Sequence, residues 1–161
     1  MDSLKVKIAD LAVLKGTGFL ITIGLGSCVG IALYDEKFKV AGLAHVLLAD
    51  SKQFSRRKTE LNPAKFADTA IPVLIEEMEL QGGNRKYFIA KIAGGGQLFA
   101  YNSTVIRVGD KNVEMVKRKL KELSIPLIAE DVGGNYGRTM KIDVTTGKVY
   151  ISTVGRKERV L

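Results

Sequence analysis

Tryptophan is absent from these 161 residues, cysteine and histidine occur once each, and proline occurs three times. A single cysteine rules out an internal disulfide framework. With one histidine and no Cys/His cluster, it also leaves no ligand spacing for a metal. The expected setting is reducing and cytoplasmic, with no metal and no cofactor. Long hydrophobic runs are missing too, and none reaches the length of a membrane span. The first residues, Met1-Asp2-Ser3-Leu4-Lys5-Val6-Lys7, alternate charge with apolar side chains where an export signal would carry an apolar block. No membrane insertion is expected.

Acidic residues are the scarcer charge. Lys and Arg number 25 against 17 Asp and Glu, a formal net charge of +8 that draws acidic partners. Nucleic acid is not among the expected ones. The positive charge is split among Lys52 with Arg56-Arg57-Lys58, Lys117-Arg118-Lys119 with Lys121, and Arg156-Lys157 with Arg159, and no interleaved aromatic stacking motif accompanies these groups.

What is present suffices for one core: the chain is 46% hydrophobic, so residues 1–161 are expected to form a single domain. Alternation over residues 4–13 predicts an edge strand, and Phe19-Leu20-Ile21-Thr22-Ile23 a second. Val29 to Tyr34 and Lys39 to Leu48 predict two more strands around the polar turn Asp35-Glu36-Lys37. Asn62 and Pro63 predict the start of a helix that runs to Gly82-Gly83 with a kink at Pro72. Strands follow at 86–92 and 125–132, a helix capped by Asp110 lies between them, and a hairpin over 139–152 closes the chain. Most neighbouring strands lack a helical crossover, which favours α+β over a doubly wound sheet.

Between two of these strands lies Thr22-Ile23-Gly24-Leu25-Gly26-Ser27-Cys28-Val29-Gly30. Gly24 and Gly26 admit backbone angles closed to other residues and leave main-chain N–H groups beside the thiol. Sulfur beside free amides suits a nucleophile with an oxyanion hole. Taken alone, Cys28 reads as a small buried hydrophobe, and the sole histidine, His45, as a neutral core imidazole. Antiparallel pairing of their strands would bring the two together as nucleophile and base.

The segments Gly24-Leu25-Gly26-Ser27-Cys28-Val29 and Ala44-His45-Val46 resemble the CheD family of chemoreceptor glutamine deamidases. So do Ala67-Asp68-Thr69-Ala70-Ile71-Pro72, Lys91-Ile92-Ala93-Gly94-Gly95 and Gly133-Gly134-Asn135-Tyr136-Gly137-Arg138. The resemblance implies a sandwich-like core of mixed β-sheets with helices outside, similar to the catalytic domain of deamidating cytotoxic necrotizing toxins. It implies a protein-glutamine glutaminase, a hydrolase that converts glutamines of methyl-accepting chemoreceptors to glutamate and ammonia at receptor arrays. Cys28, partly thiolate through His45, would attack the carboxamide, Thr22 would orient the histidine, and backbone amides at Gly26 and Ser27 would hold the oxyanion. Lys52, Arg56 and Arg57 would favour approach of an acidic receptor surface. A second role, implied by the same resemblance, is a regulatory complex with the phosphatase CheC. The chain departs from the family pattern at Leu48-Ala49-Asp50-Ser51, where a Leu-Pro-Asp-Ser type segment is often found.

Overall fold

The computed structural model describes residues 2–53, 61–97 and 107–161, so the expected approach residues Arg56 and Arg57 lie outside the described residues. In chain order the strands and α-helices are β1 (Ser3–Lys5), β2 (Asp10–Lys15), β3 (Phe19–Leu25), β4 (Val29–Asp35), β5 (Val40–Val46), α1 (Ala67–Leu80), β6 (Phe88–Gly94), α2 (Val108–Glu122), β7 (Leu127–Val132), β8 (Arg138–Asp143), β9 (Val149–Ser152) and β10 (Arg159–Val160). They form two five-stranded sheets, ordered β1-β3-β8-β9-β10 and β2-β5-β4-β6-β7. Both are mixed: β1 pairs parallel with β3 and β6 parallel with β7, the remaining pairs being antiparallel. This is the expected α+β class with a sandwich-like core.

Alternation within β4 and β5 explains the layering. Val29, Ile31, Leu33, Val40, Ala44 and Val46 join α1 residues Ala70, Ile71, Leu74 and Met78 in one apolar cluster. Ala32, Tyr34, Ala41 and Leu43, at intervening positions, join Leu20, Met140, Ile142 and Ile151 of the other sheet. Every residue of β4 and β5 is buried, because the second sheet is covered by helices on one face and by the first sheet on the other.

Three expectations require correction. The single edge strand over residues 4–13 is two strands in different sheets, β1 and β2, broken where Ala9 takes a positive φ of 60°. Asn62 caps only a 3-10 turn, Pro63–Lys65, and α1 begins at Ala67. The cause is Phe66, a fully buried side chain on extended backbone that bridges to Leu48 and so interrupts the helix. Asp110 lies inside the first turn of α2, which starts at Val108, so it is not the cap.

Candidate active site

A bulge in β3 sets up the cysteine loop. Leu20 and Thr22 face inward, and the register with β8 then shifts between Thr22 and Leu25, turning Leu25 inward as well. Gly24 supplies the positive φ of 82° this needs, and the Gly26 N–H closes onto the Gly24 carbonyl at 3.0 Å. The chain re-enters the second sheet at Val29, so Cys28 sits at the lip between the sheets, 6% exposed.

His45 reaches the same place from β5. It pairs with Gly30 across β4 and β5, and Cys28 lies two residues before Gly30, so thiol and imidazole are diagonal neighbours on the sheet-facing side. The antiparallel pairing expected from the short turn is present. His45 is fully buried, and its Nδ1 lies 2.6 Å from Thr22 Oγ1 across the gap between the sheets. The Thr22 hydroxyl donates its one proton to the Val6 carbonyl at 2.7 Å. It must therefore accept from His45, which fixes the proton on Nδ1 and leaves Nε2 with its lone pair free. Among the described residues Nε2 has no hydrogen-bond partner, so it is not bonded to the Cys28 thiol.

Burial decides the charge state. It lowers the pKa of His45 from 6.5 to about 4, and it raises that of Cys28, opposed only by the residue's own backbone N–H against its sulfur. The resting pair is a neutral thiol and a neutral imidazole, where the sequence led us to expect partial thiolate.

Among the described residues, no backbone hydrogen bond leaves the Ser27 or Cys28 N–H. The Gly26 N–H, by contrast, is spent on Gly24. The Gly26 and Cys28 carbonyls accept from Gly96 and Gly95, each at 2.8 Å, which ties the loop to the end of β6. Behind that glycine run, the buried Arg138 donates to the carbonyls of Gly133 and Tyr136 and to the Asp131 carboxylate. Lys52 is exposed on a 3-10 turn, in a cavity it shares with Asp50, Asp68, Arg118, Lys119 and Glu122, a balanced set of charges.

One site residue went unread in the sequence. Asn112, in α2, is fully buried and donates through Nδ2 to the Ser27 carbonyl at 2.9 Å and the Leu47 carbonyl at 3.0 Å. The available signal was its spacing: Asn112 stands four residues before Val116 and eight before Leu120, a polar residue on the apolar stripe. Val6, whose carbonyl sets the histidine tautomer, offers no side-chain signal at all.

Among the described residues no helix is long and apolar enough to cross a membrane, and no cluster of metal-ligating side chains is present. The family pattern described as CheD chemotactic sensory transduction matches residues 47–153. A Clostridium botulinum protein (strain Hall) named "Probable chemoreceptor glutamine deamidase CheD" is 55% identical over 157 residues, covering 96% of this chain and 95% of that one. A protein of the same name from Clostridium botulinum (strain Alaska E43) is 52% identical over 153 residues, covering 94% and 93%. Among solved structures, the hypothetical protein YfiH of Bacillus licheniformis superposes with a TM-score of 0.45 at 15% identity, over 73% of this chain and 48% of that one.

Proposed function

The chain belongs to the CheD family, and on that premise we propose that it deamidates glutamine side chains of chemoreceptors through a thioester on Cys28. The observation that carries this reading is the chain of hydrogen bonds from the Val6 carbonyl through Thr22 to His45, because it leaves a basic Nε2 on the face it shares with the only thiol. A neutral thiol beside a neutral base gives up its proton as it attacks. Sulfur bonds to the carboxamide carbon while Nε2 takes the proton, and the oxygen gathers charge against the Ser27 and Cys28 amides. The imidazolium then protonates the departing nitrogen, which leaves as ammonia. Water, deprotonated by the same Nε2, cleaves the thioester, releasing glutamate and restoring the thiol. Proton and electron pairs balance over the two halves without any cofactor, and Thr22 holds the ring in the tautomer that both halves need.

Mass spectrometry of receptor cytoplasmic fragments, incubated with the wild type and with Cys28→Ala, tests the reading. The wild type converts discrete glutamines to glutamate and the variant converts none. Equal conversion by a folded Cys28→Ala protein overturns it.

A further inference from the structure

A donor that stabilises an oxyanion is useful only if its peptide plane is held, and the loop carrying Cys28 has glycines on both sides. Within a peptide unit the carbonyl and the following N–H point in opposite directions. Whatever grips the Ser27 carbonyl therefore aims the Cys28 N–H. That grip is the Asn112 carboxamide, whose two N–H groups reach the Ser27 carbonyl and the Leu47 carbonyl. Both partners are acceptors, so the orientation of the amide is forced, and its Oδ1 is left buried with no partner among the described residues. The side chain is thus held through its donors alone, and they join the cysteine loop to the chain two residues beyond His45. Its helix is seated close by: a Cβ at Gly109 would collide with the carbonyls of Gly95 and Gly96, the run that also binds the cysteine loop.

We propose that Asn112 is a positioning residue for the deamidation, holding the Ser27–Cys28 peptide plane so that the Cys28 N–H faces the developing oxyanion. This rests on the deamidase reading above. Asn112 touches no reacting atom and acts through a backbone it keeps from turning.

The test uses Asn112→Leu, which fills the space without a donor, and Asn112→Ala. In variants that melt cooperatively, kcat for ammonia release from a receptor cytoplasmic fragment falls about tenfold to a hundredfold while KM stays within about twofold. The rate of Cys28 alkylation by iodoacetamide, which needs the thiol but no oxyanion hole, also stays within about twofold. Wild-type kcat overturns the proposal, as does an alkylation rate that falls in step with kcat. Should neither variant fold, the wild type still decides, because labelling cysteine with nitrogen-15 gives one amide resonance, that of Cys28. Propionaldehyde captures the thiol as a hemithioacetal, sulfur bonding to the carbonyl carbon and the thiol proton passing to its oxygen. The Cys28 amide proton then moves downfield, and an unmoved resonance overturns the proposal. If Cys28→Ala itself releases ammonia, the reading of a thioester on Cys28 falls. If Cys28→Ala is inert while folded Asn112→Leu works at full rate, only the role of Asn112 falls.

Discussion

The sheet β2-β5-β4-β6-β7 is buried on both faces, and the two faces are put to different uses. Against α1 and α2 it presents Ile31, Leu33, Ala44 and Val46 to an apolar cluster of leucine, isoleucine and methionine. Against the other sheet it presents Ala32, Ala41 and Leu43 together with Cys28 and His45, the latter bonded to Thr22 opposite. Apolar packing on the helix face depends on area and shape. On the sheet face the polar atoms must each be satisfied or aimed, since an unpaired group in a dry layer costs more than a lost contact returns. On the proposed reading, the difference teaches where stability and chemistry come apart in this fold. Both lie within one strand's reach, on alternate residues.

The largest effects should separate the two faces cleanly. His45→Gln keeps a polar side chain of similar reach but removes the proposed base, and ammonia release should fall about 10³-fold with the melting temperature little changed at neutral pH. Leu74→Ala, in a fully buried α1 position, should cost about 2–5 kcal/mol of stability and leave the rate of the folded fraction untouched. Steady-state kinetics beside urea titrations check the pair. A folded His45→Gln enzyme at wild-type rate, or a Leu74→Ala enzyme slowed while fully folded, would break the comparison.

How much of this division was legible depended on how local each feature is. The glycine-flanked Cys28 and the histidine in an apolar run stand out in the sequence because each departs from its own neighbours, and the short turn from β4 to β5 makes their pairing foreseeable. Thr22 does not depart from its neighbours: a threonine in a β-branched run looks structural. Only the family resemblance assigned it a role, because its partner lies across the gap between two sheets whose order is set by contacts remote in sequence. The start of α1 was misread because Asn62-Pro63 is a sound local signal overridden by the buried Phe66. Asn112 broke an apolar stripe visibly, yet what it grips is main chain contributed by distant segments.

Two glycines offer a smaller and sharper contrast. A Cβ at Gly30 would come within 2.7 Å of Met140 Sδ and 3.0 Å of Leu25 Cδ1 on the sheet face, whereas one at Gly42 would come within 2.7 Å of Leu74 Cδ1 and 2.9 Å of Met78 Sδ on the helix face. The obstructing atoms are ends of flexible side chains, so either alanine should cost about 1–3 kcal/mol. Only one should affect turnover. Met140 pairs with Thr22 across β3 and β8, and pushing it aside disturbs the hydroxyl that holds His45. Gly30→Ala should therefore lower kcat about tenfold, and Gly42→Ala should leave it within about twofold. Equal losses of kcat in the two folded variants would show that the faces are coupled, and wild-type kcat in both would show that displacing Met140 leaves Thr22 undisturbed.

The remaining effect is one of pH, and its sign follows from burial of the sheet face. With the pKa of His45 lowered from 6.5 to about 4, the unfolded chain takes up a proton between those values that the folded chain refuses. Stability should be flat in this group above about pH 6.5, fall as pH drops toward 4, and flatten again once both states are protonated. The loss is about 3 kcal/mol, and His45→Gln should abolish that portion of the pH dependence. The same shift keeps the proposed base competent in acid, so the acidic limb of kcat/KM should lie near pH 4, well below the range of an ordinary histidine. Burial pushes Cys28 the other way, so iodoacetamide alkylation of the free enzyme should climb steadily through pH 8–9 with no plateau on the acid side. A plateau in alkylation below pH 7 would reveal a resting thiolate–imidazolium pair. The sheet face would then hold charge at rest, and its contrast with the helix face would be electrostatic from the outset, with no need for substrate to trigger the proton transfer.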